Sequence, residues 1–328
     1  MNTESLYIKL NDILPYRAGQ ILKEFIKDYL TILASRQLDQ QFYISLMLKF
    51  IDLVKEQINK PFIFEPFHKQ IRNPFDYYQF SLDLFRPVLD FENSSVLGVD
   101  HILEAKSLLQ KGQNVILLAN HQTEADPQAI SYLLEHIAPD LARDMIFVAG
   151  ERVVTDPLAI PHSLGRNLLC IYSKRHIDNP PEERFNKQMH NKQTMETMVS
   201  LLSKGGCCIY VAPSGGRDRP DAKGEIEVAP FDPQSIEMFY LMAKKAVTPT
   251  HFFPLSLKTF DFIPPPKTVE KEIGEKRGVK YTPIHLNWGS KIDMDHFEGC
   301  QEEDKRIRRE NRSLFIYSQV KKNYDLIK

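Results

Sequence analysis

Two apolar stripes open the chain. Leu22, Phe25, Ile26, Tyr29 and Leu33 fall at i, i+3, i+4, i+7 and i+11, and Tyr43, Leu46, Met47, Phe50, Ile51 and Val54 repeat the pattern. That is the spacing of a helix with one buried face. Neither stripe carries a polar constellation, so the first sixty or so residues read as a small helical bundle. Pro61 and the FEPF stretch at Phe64–Phe67 mark a boundary. The expected division is a helical bundle domain over residues 1–62 and an α/β domain over 63–328.

From about residue 100 the texture changes to short apolar runs alternating with helical patterns. The predicted strands are Val115–Ala119, Met145–Val148, Leu168–Tyr172, Cys208–Ala212 and Phe252–Leu257, with helices clearest at Asp126–His136 and Phe185–Ser203. This order predicts an α/β fold, a mixed sheet flanked by helices. Pro264, Pro265 and Pro266 form a stiff loop, and Glu302–Arg312 reads as a solvated helix pairing Glu302 with Arg306 and Asp304 with Arg308.

Composition narrows the function classes. The 328 residues carry 42 Lys+Arg against 43 Asp+Glu, a net charge of −1. Such a balance excludes a general nucleic-acid coat or a polybasic membrane binder. No apolar run approaches the roughly 18–20 residues that span a bilayer. The start, MNTESLYIKLND, has neither a signal core nor the Arg/Ser-rich look of a transit sequence. The expected location is cytoplasmic and soluble, or the plastid stroma if a transit peptide has been removed. The four cysteines lack CxxC spacing and the ten histidines lack an HExxH partner, so no metal site is expected. Adjacent Cys207 and Cys208 on a strand face opposite ways, as buried thiols.

The chemistry gathers just past three strand ends, where ligands bind in open α/β sheets. In LLANHQTEADP, His121 and Asp126 are five positions apart. On one helix they would diverge. They meet only if His121 lies in the loop and Asp126 at the helix start, which Pro127 supports. Asp126 could then fix the His121 tautomer and leave a base; the alternative is an N-cap carboxylate beside a loop histidine. There is no GxSxG elbow, and Ser214 has nothing in the sequence to set it beside His121. A His121 base would therefore act on a substrate hydroxyl directly, with no covalent intermediate.

The other two clusters are basic. YSKRHIDNPP places Lys174, Arg175 and His176 in a row, and VAPSGGRDRPD holds Ser214, Gly215, Gly216, Arg217 and Arg219. In extended chain Arg217 and Arg219 face one side and Asp218 the other. Two guanidinium forks suit a phosphate or carboxylate, and Gly215–Gly216 permits a turn whose N–H groups face an anion. The stretch 174–220 has eight Lys+Arg against five Asp+Glu in a chain that is otherwise near neutral. Each cluster alone reads as a solvated turn; together at one sheet edge they point to an anion site.

The NHQTEADP block resembles the first signature of the glycerolipid acyltransferases. With FVAGERVVTDPLAIPHSLGRNLLCIYSKRH, VAPSGGRDRPD and the later HFFPLSL, IPPP and EIGEKR stretches, the chain is similar to the soluble, plastid-type glycerol-3-phosphate 1-O-acyltransferases and their bacterial counterparts. The likeness runs from about Pro66 to Arg277, and the helical start fits the small N-terminal helical domain of that family. The resemblance implies acyl transfer from a thioester on acyl carrier protein or coenzyme A to the sn-1 hydroxyl of glycerol 3-phosphate. It implies His121 as general base, Asp126 as its partner, and Arg175, His176, Arg217 and Arg219 as phosphate-binding. The family pattern has Lys-Lys-His where this chain has Lys174-Arg175-His176, a fork in place of a point charge. The expected partners are glycerol 3-phosphate and the acyl carrier, with no nucleic acid, no cofactor and at most peripheral membrane contact. Alternatives are transfer to lysophosphatidate, a hydrolase using His121 on water, and a non-enzymatic anion binder whose helical module docks a partner.

Overall fold

The computed structural model describes residues 3–173, 177–265 and 278–328. Three helices come first: α1 (Thr3–Asn11), α2 (Arg17–Ser35) and α3 (Gln40–Asn59). There follow β1 (Phe67–His68), α4 (Tyr77–Phe85), β2 (Ser95–Leu97) and α5 (Val99–Gln110). The alternating region runs β3 (Asn114–Ala119), α6 (Asp126–Leu134), α7 (Pro139–Asp144), β4 (Ile146–Gly150), α8 (Glu151–Thr155), α9 (Ile160–Ser163), β5 (Asn167–Ile171), α10 (Arg184–Lys204) and β6 (Cys208–Val211). A small hairpin of β7 (Arg219–Pro220) and β8 (Ile226–Glu227) precedes α11 (Pro233–Ala246), β9 (Thr250–Lys258), β10 (His285–Trp288) and α12 (Lys305–Asp325).

The main sheet has eight strands in the order β1-β5-β4-β6-β3-β9-β10-β2. Strands β5, β4, β6, β3 and β9 run parallel, whereas β1 and β10 are antiparallel to their inner neighbours, β5 and β9. The fold is the expected α/β arrangement, a mixed sheet flanked by helices.

Strand alternation builds two cores. Val115, Leu117 and Ala119 of β3, with Phe147, Leu168, Cys208 and Tyr210 of its neighbours, point to one face, where they pack with residues of α1–α6. Ile116, Leu118, Leu169, Ile209 and Val211 point to the other, against Met198 and Leu202 of α10, Ile236 and Phe239 of α11, and Ile316 and Val320 of α12. The first predicted stripe, Leu22 to Leu33, is buried in the first core, and the second is buried there at Met47, Phe50, Ile51 and Val54 with Tyr43 and Leu46 packed against it partly exposed. Cys208 faces this core while Cys207 packs on the other side.

One expected detail is corrected. The charged helix starts at Lys305, three residues later than Glu302, and continues to Asp325. Asp304 is its N-cap, accepting from the Arg306 backbone N–H at 2.7 Å, so it stabilises the first turn.

Candidate active site

Because β3, β4, β5 and β6 are parallel and adjacent, their C-terminal ends share one edge. The polar segments after β3 and β6 therefore emerge side by side. The segment after β5 leads to Lys174, Arg175 and His176, which lie outside the described residues.

His121 sits in the loop after β3, and Asp126 is the first residue of α6, one position further into the helix than the cap position expected for it. His121 Nδ1 and Asp126 Oδ2 are 2.8 Å apart. Asp126 is fully buried and is surrounded by donors. Its Oδ2 also accepts from the Gln122 backbone N–H at 2.9 Å, and its Oδ1 from the Thr123 backbone N–H at 3.3 Å and the Thr259 hydroxyl at 2.6 Å. An ionised carboxylate only accepts, so this environment selects the tautomer with the proton on Nδ1. Nε2 is then left as the basic nitrogen, on a side chain that keeps 29% of its surface exposed.

Two residues that carry no motif signal in the sequence lock this loop to its neighbours. Asn120 acts as a surrogate peptide, donating from Nδ2 to the Leu257 carbonyl at 2.9 Å and accepting the Leu257 N–H at 2.7 Å. Gln122 accepts the N–H groups of Thr259 and Phe260 at 2.6 and 3.0 Å. Both also donate to Asp218 Oδ2, at 2.7 Å from Asn120 and 3.2 Å from Gln122. Loop residues that complete a strand pairing in this way give no apolar periodicity.

The Arg217–Arg219 segment is pinned from beneath. Asp218 is fully buried; its N–H donates to the His121 carbonyl at 2.6 Å, and its Oδ1 accepts from Ala229 N–H at 2.9 Å. Arg217 and Arg219 flank it, both partly buried. Arg217 Nη1 stands 3.7 Å from Glu124 Oε1, so this guanidinium is held next to the His121 loop. Gly215 adopts φ +62 in a turn closed by its N–H to the Ala212 carbonyl at 3.1 Å, a conformation that suits glycine. Ser214 Oγ donates to the Gly216 carbonyl at 2.8 Å, which engages its hydroxyl within the turn.

Burial pushes the Asp218 carboxyl from an ordinary 3.8 up to about 6, against the lowering effect of its donors Ala229, Asn120 and Gln122. Between those values the folded chain holds a proton that the unfolded chain has lost. This group's contribution to stability is therefore complete below about 3.8 and is lost as pH rises through about 6. The unfolding free energy of the wild type minus that of Asp218→Asn is expected to fall by roughly 3 kcal/mol across that window. Denaturant melts at a series of pH values measure it, and a difference independent of pH would refute it.

His121 also lines the mouth of an apolar cavity of about 160 Å³. One wall is the first face of the sheet, including Phe147, Ala149, Leu168 and Tyr210. The opposite wall is Ile21, Leu22 and Phe25 of α2 with Phe50 of α3. The N-terminal stripes thus line a space that begins at the histidine. Among the described residues, no group of three or more His, Cys, Asp or Glu side chains is gathered to hold a metal ion.

The family model described as Acyltransferase matches residues 101–258. A chloroplastic glycerol-3-phosphate acyltransferase of Carthamus tinctorius is 38% identical over 96% of this chain and 68% of its own length. The chain belongs to the chloroplast-type glycerol-3-phosphate acyltransferase family. Two further members, from Cucurbita moschata and Spinacia oleracea, are each 40% identical over 88% of this chain. The chain spans about six-tenths of the length of these two relatives, 62% and 61%. A solved 1-acyl-sn-glycerophosphate (LPA) acyltransferase from Thermotoga maritima is a looser likeness, with TM-score 0.43 and 17% identity over 76% of this chain and 77% of that one. The segment matched by the family model holds His121, Asp126, Arg217 and Asp218 and stops at the end of β9. The N-terminal helices that wall the cavity lie outside it.

Proposed function

We propose that this chain transfers a fatty-acyl group from a thioester, carried on acyl carrier protein or coenzyme A, to the sn-1 hydroxyl of glycerol 3-phosphate. The observation that carries the reading is the His121–Asp126 pair at the mouth of an apolar cavity, with the Arg217 segment hydrogen-bonded to the His121 backbone. Each substrate part finds complementary chemistry: the cavity for the acyl chain, the guanidinium groups for the phosphate. The names of the family members agree with it.

In this scheme His121 Nε2 takes the proton of the hydroxyl as its oxygen attacks the thioester carbonyl carbon. Asp126 stabilises the imidazolium through Nδ1–H. The C–S bond then breaks, and His121 returns the proton to the departing thiolate. Products are 1-acyl-glycerol 3-phosphate and the free thiol of the carrier. Every proton moves between His121 and the substrates, so the thioester is a cosubstrate and the scheme uses no further cofactor.

Arg217 and Arg219 hold the phosphate, with Lys174, Arg175 and His176 assigned to the same task and the Ser214–Gly215–Gly216 turn beside them. Arg217→Ala is expected to raise the KM for glycerol 3-phosphate by roughly tenfold to a hundredfold, one charge-assisted hydrogen-bond pair. The kcat should change little, because the phosphate is held alike in ground and transition states. Steady-state kinetics separate the two constants. A fall in kcat at unchanged KM would remove Arg217 from the phosphate site.

Transfer to lysophosphatidate uses the same histidine and is separated by the acceptor. Purified chain incubated with an acyl thioester and each acceptor should yield acyl product from glycerol 3-phosphate. Product from lysophosphatidate alone would overturn the assignment. No described helix is long and apolar enough to cross a membrane. The amphiphilic product suggests peripheral membrane contact at most, and the relatives' chloroplastic names favour the stroma as the working compartment.

A further inference from the structure

Asp126 is held by four donors, and three of them are its own neighbours in the chain. His121 Nδ1 and the Gln122 and Thr123 backbone N–H groups lie within five positions of it. The fourth comes from 133 residues away: Thr259, directly after β9, donates from Oγ1 to Asp126 Oδ1 at 2.6 Å. That distance is typical of a hydroxyl on an ionised carboxylate.

The donors divide unevenly between the two oxygens. Oδ2 takes His121 at 2.8 Å and the Gln122 N–H at 2.9 Å. Oδ1 takes Thr259 and, at 3.3 Å, the Thr123 N–H, which is beyond the usual range of an N–H···O bond. Thr259 is thus the strong contact on Oδ1. Firm anchors on both oxygens fix the plane of the carboxylate. The last torsion of an aspartate is soft, so without the hydroxyl the carboxylate can turn, and the oxygen facing His121 turns with it.

Thr259 is itself tied down. Its N–H donates to Gln122 Oε1 at 2.6 Å, and its carbonyl accepts the Phe262 N–H at 3.0 Å. Four residues on, the Ile263 carbonyl accepts the Thr123 hydroxyl at 3.0 Å. The segment from Thr259 to Ile263 is therefore fastened to the His121 loop at both ends. Thr259 is 1% exposed and Asp126 0%, so bulk water supplies no substitute donor. A residue that only joined β9 to this loop would do so through its backbone, which any side chain allows. The hydroxyl serves the carboxylate alone.

We propose that Thr259 is a positioning residue: its hydroxyl orients the Asp126 carboxylate, and through it the His121 imidazole, so that Nε2 meets the acceptor hydroxyl. This rests on reading His121 as the base. Thr259→Val keeps the branched shape and removes the donor. Its kcat for transfer to glycerol 3-phosphate should fall roughly tenfold to a hundredfold, the scale of a catalytic group displaced by up to about an ångström. The KM for glycerol 3-phosphate should stay within about twofold, because the phosphate contacts lie on another segment. Thr259→Ser returns the hydroxyl without the methyl and should recover most of the rate. Thermal melts set an assay temperature at which each variant is folded. Should Thr259→Val not fold, Thr259→Ser against Thr259→Ala makes the same comparison, since the two differ by one oxygen atom. Nitrogen-15 spectra of histidine-labelled full chain at alkaline pH read the imidazole itself, with His121→Ala identifying its signals. Wild type and Thr259→Ser should show His121 with the proton on Nδ1, and Thr259→Val a pattern moved toward the average of the two tautomers. An unchanged pattern in Thr259→Val, or an equal loss of kcat in Thr259→Ser and Thr259→Val, would overturn the role. The tautomer shift needs no turnover, so it supports the positioning whatever the acceptor, whereas wild-type chain without acyl transfer counts against the proposed reaction alone.

Discussion

His121→Ala is expected to lower acyl transfer by at least a thousandfold while glycerol 3-phosphate still binds. The neutral alanine removes the one basic nitrogen that the Asp126 hydrogen bond leaves oriented toward the cavity mouth. General-base catalysis by a positioned histidine accounts for roughly 10²–10⁴ in rate, and here the same group must also protonate the leaving thiolate. The phosphate contacts lie on a different segment, joined to position 121 through a backbone carbonyl that alanine retains. Binding should therefore survive. Calorimetric titration with glycerol 3-phosphate beside a turnover assay measures both. Intact turnover with lost binding would remove His121 from the chemistry.

Asp126→Asn should be nearly as damaging, by roughly three to four orders of magnitude in kcat. The wild-type carboxylate accepts from His121, Gln122, Thr123 and Thr259 at once. An amide accepts on one side only and turns its NH₂ toward donors on the other. If it donates to Nδ1, the imidazole proton moves to Nε2 and the base is lost. The two displaced donors cost stability as well, about 1–3 kcal/mol for each one left buried and unsatisfied. Asp126→Glu keeps charge but lengthens the arm in a fully buried position, and should not restore the rate. Kinetics paired with thermal melts separate the tautomer effect from destabilisation. Wild-type turnover in Asp126→Asn would show that Asp126 only starts the helix.

The inner strands were legible because they are buried on both faces and read as apolar runs, as with VILLA inside β3. Their observed bounds, such as Thr250–Lys258 around the predicted Phe252–Leu257, differ by a residue or two. By contrast α4 has nine residues and a polar face of only Gln79 and Asp83, too short to set a period. Strands β1 and β2 have two and three residues, too few for alternation to register. Spacing and Pro127 permit the His121–Asp126 pairing but leave the N-cap alternative open, and the 2.8 Å contact decides between them. Asn120, Gln122, Asp218 and Thr259 carry no such signal, because their roles depend on contacts nearly a hundred residues or more away in sequence. Asp218 was placed only on the side opposite the arginines; its burial and its hold on the His121 loop are tertiary facts. The cavity was equally hidden, since Phe25 and Phe50 look like ordinary core positions until the sheet is set against them.

Release of free thiol from a fatty-acyl thioester, followed with and without glycerol 3-phosphate, separates acyl transfer to that acceptor from hydrolysis. Release is expected to be rapid, to require glycerol 3-phosphate, to match acyl-glycerol phosphate formed one for one, and to disappear in His121→Ala. Release at the same rate without glycerol 3-phosphate, yielding free fatty acid, would contradict acyl transfer to that acceptor.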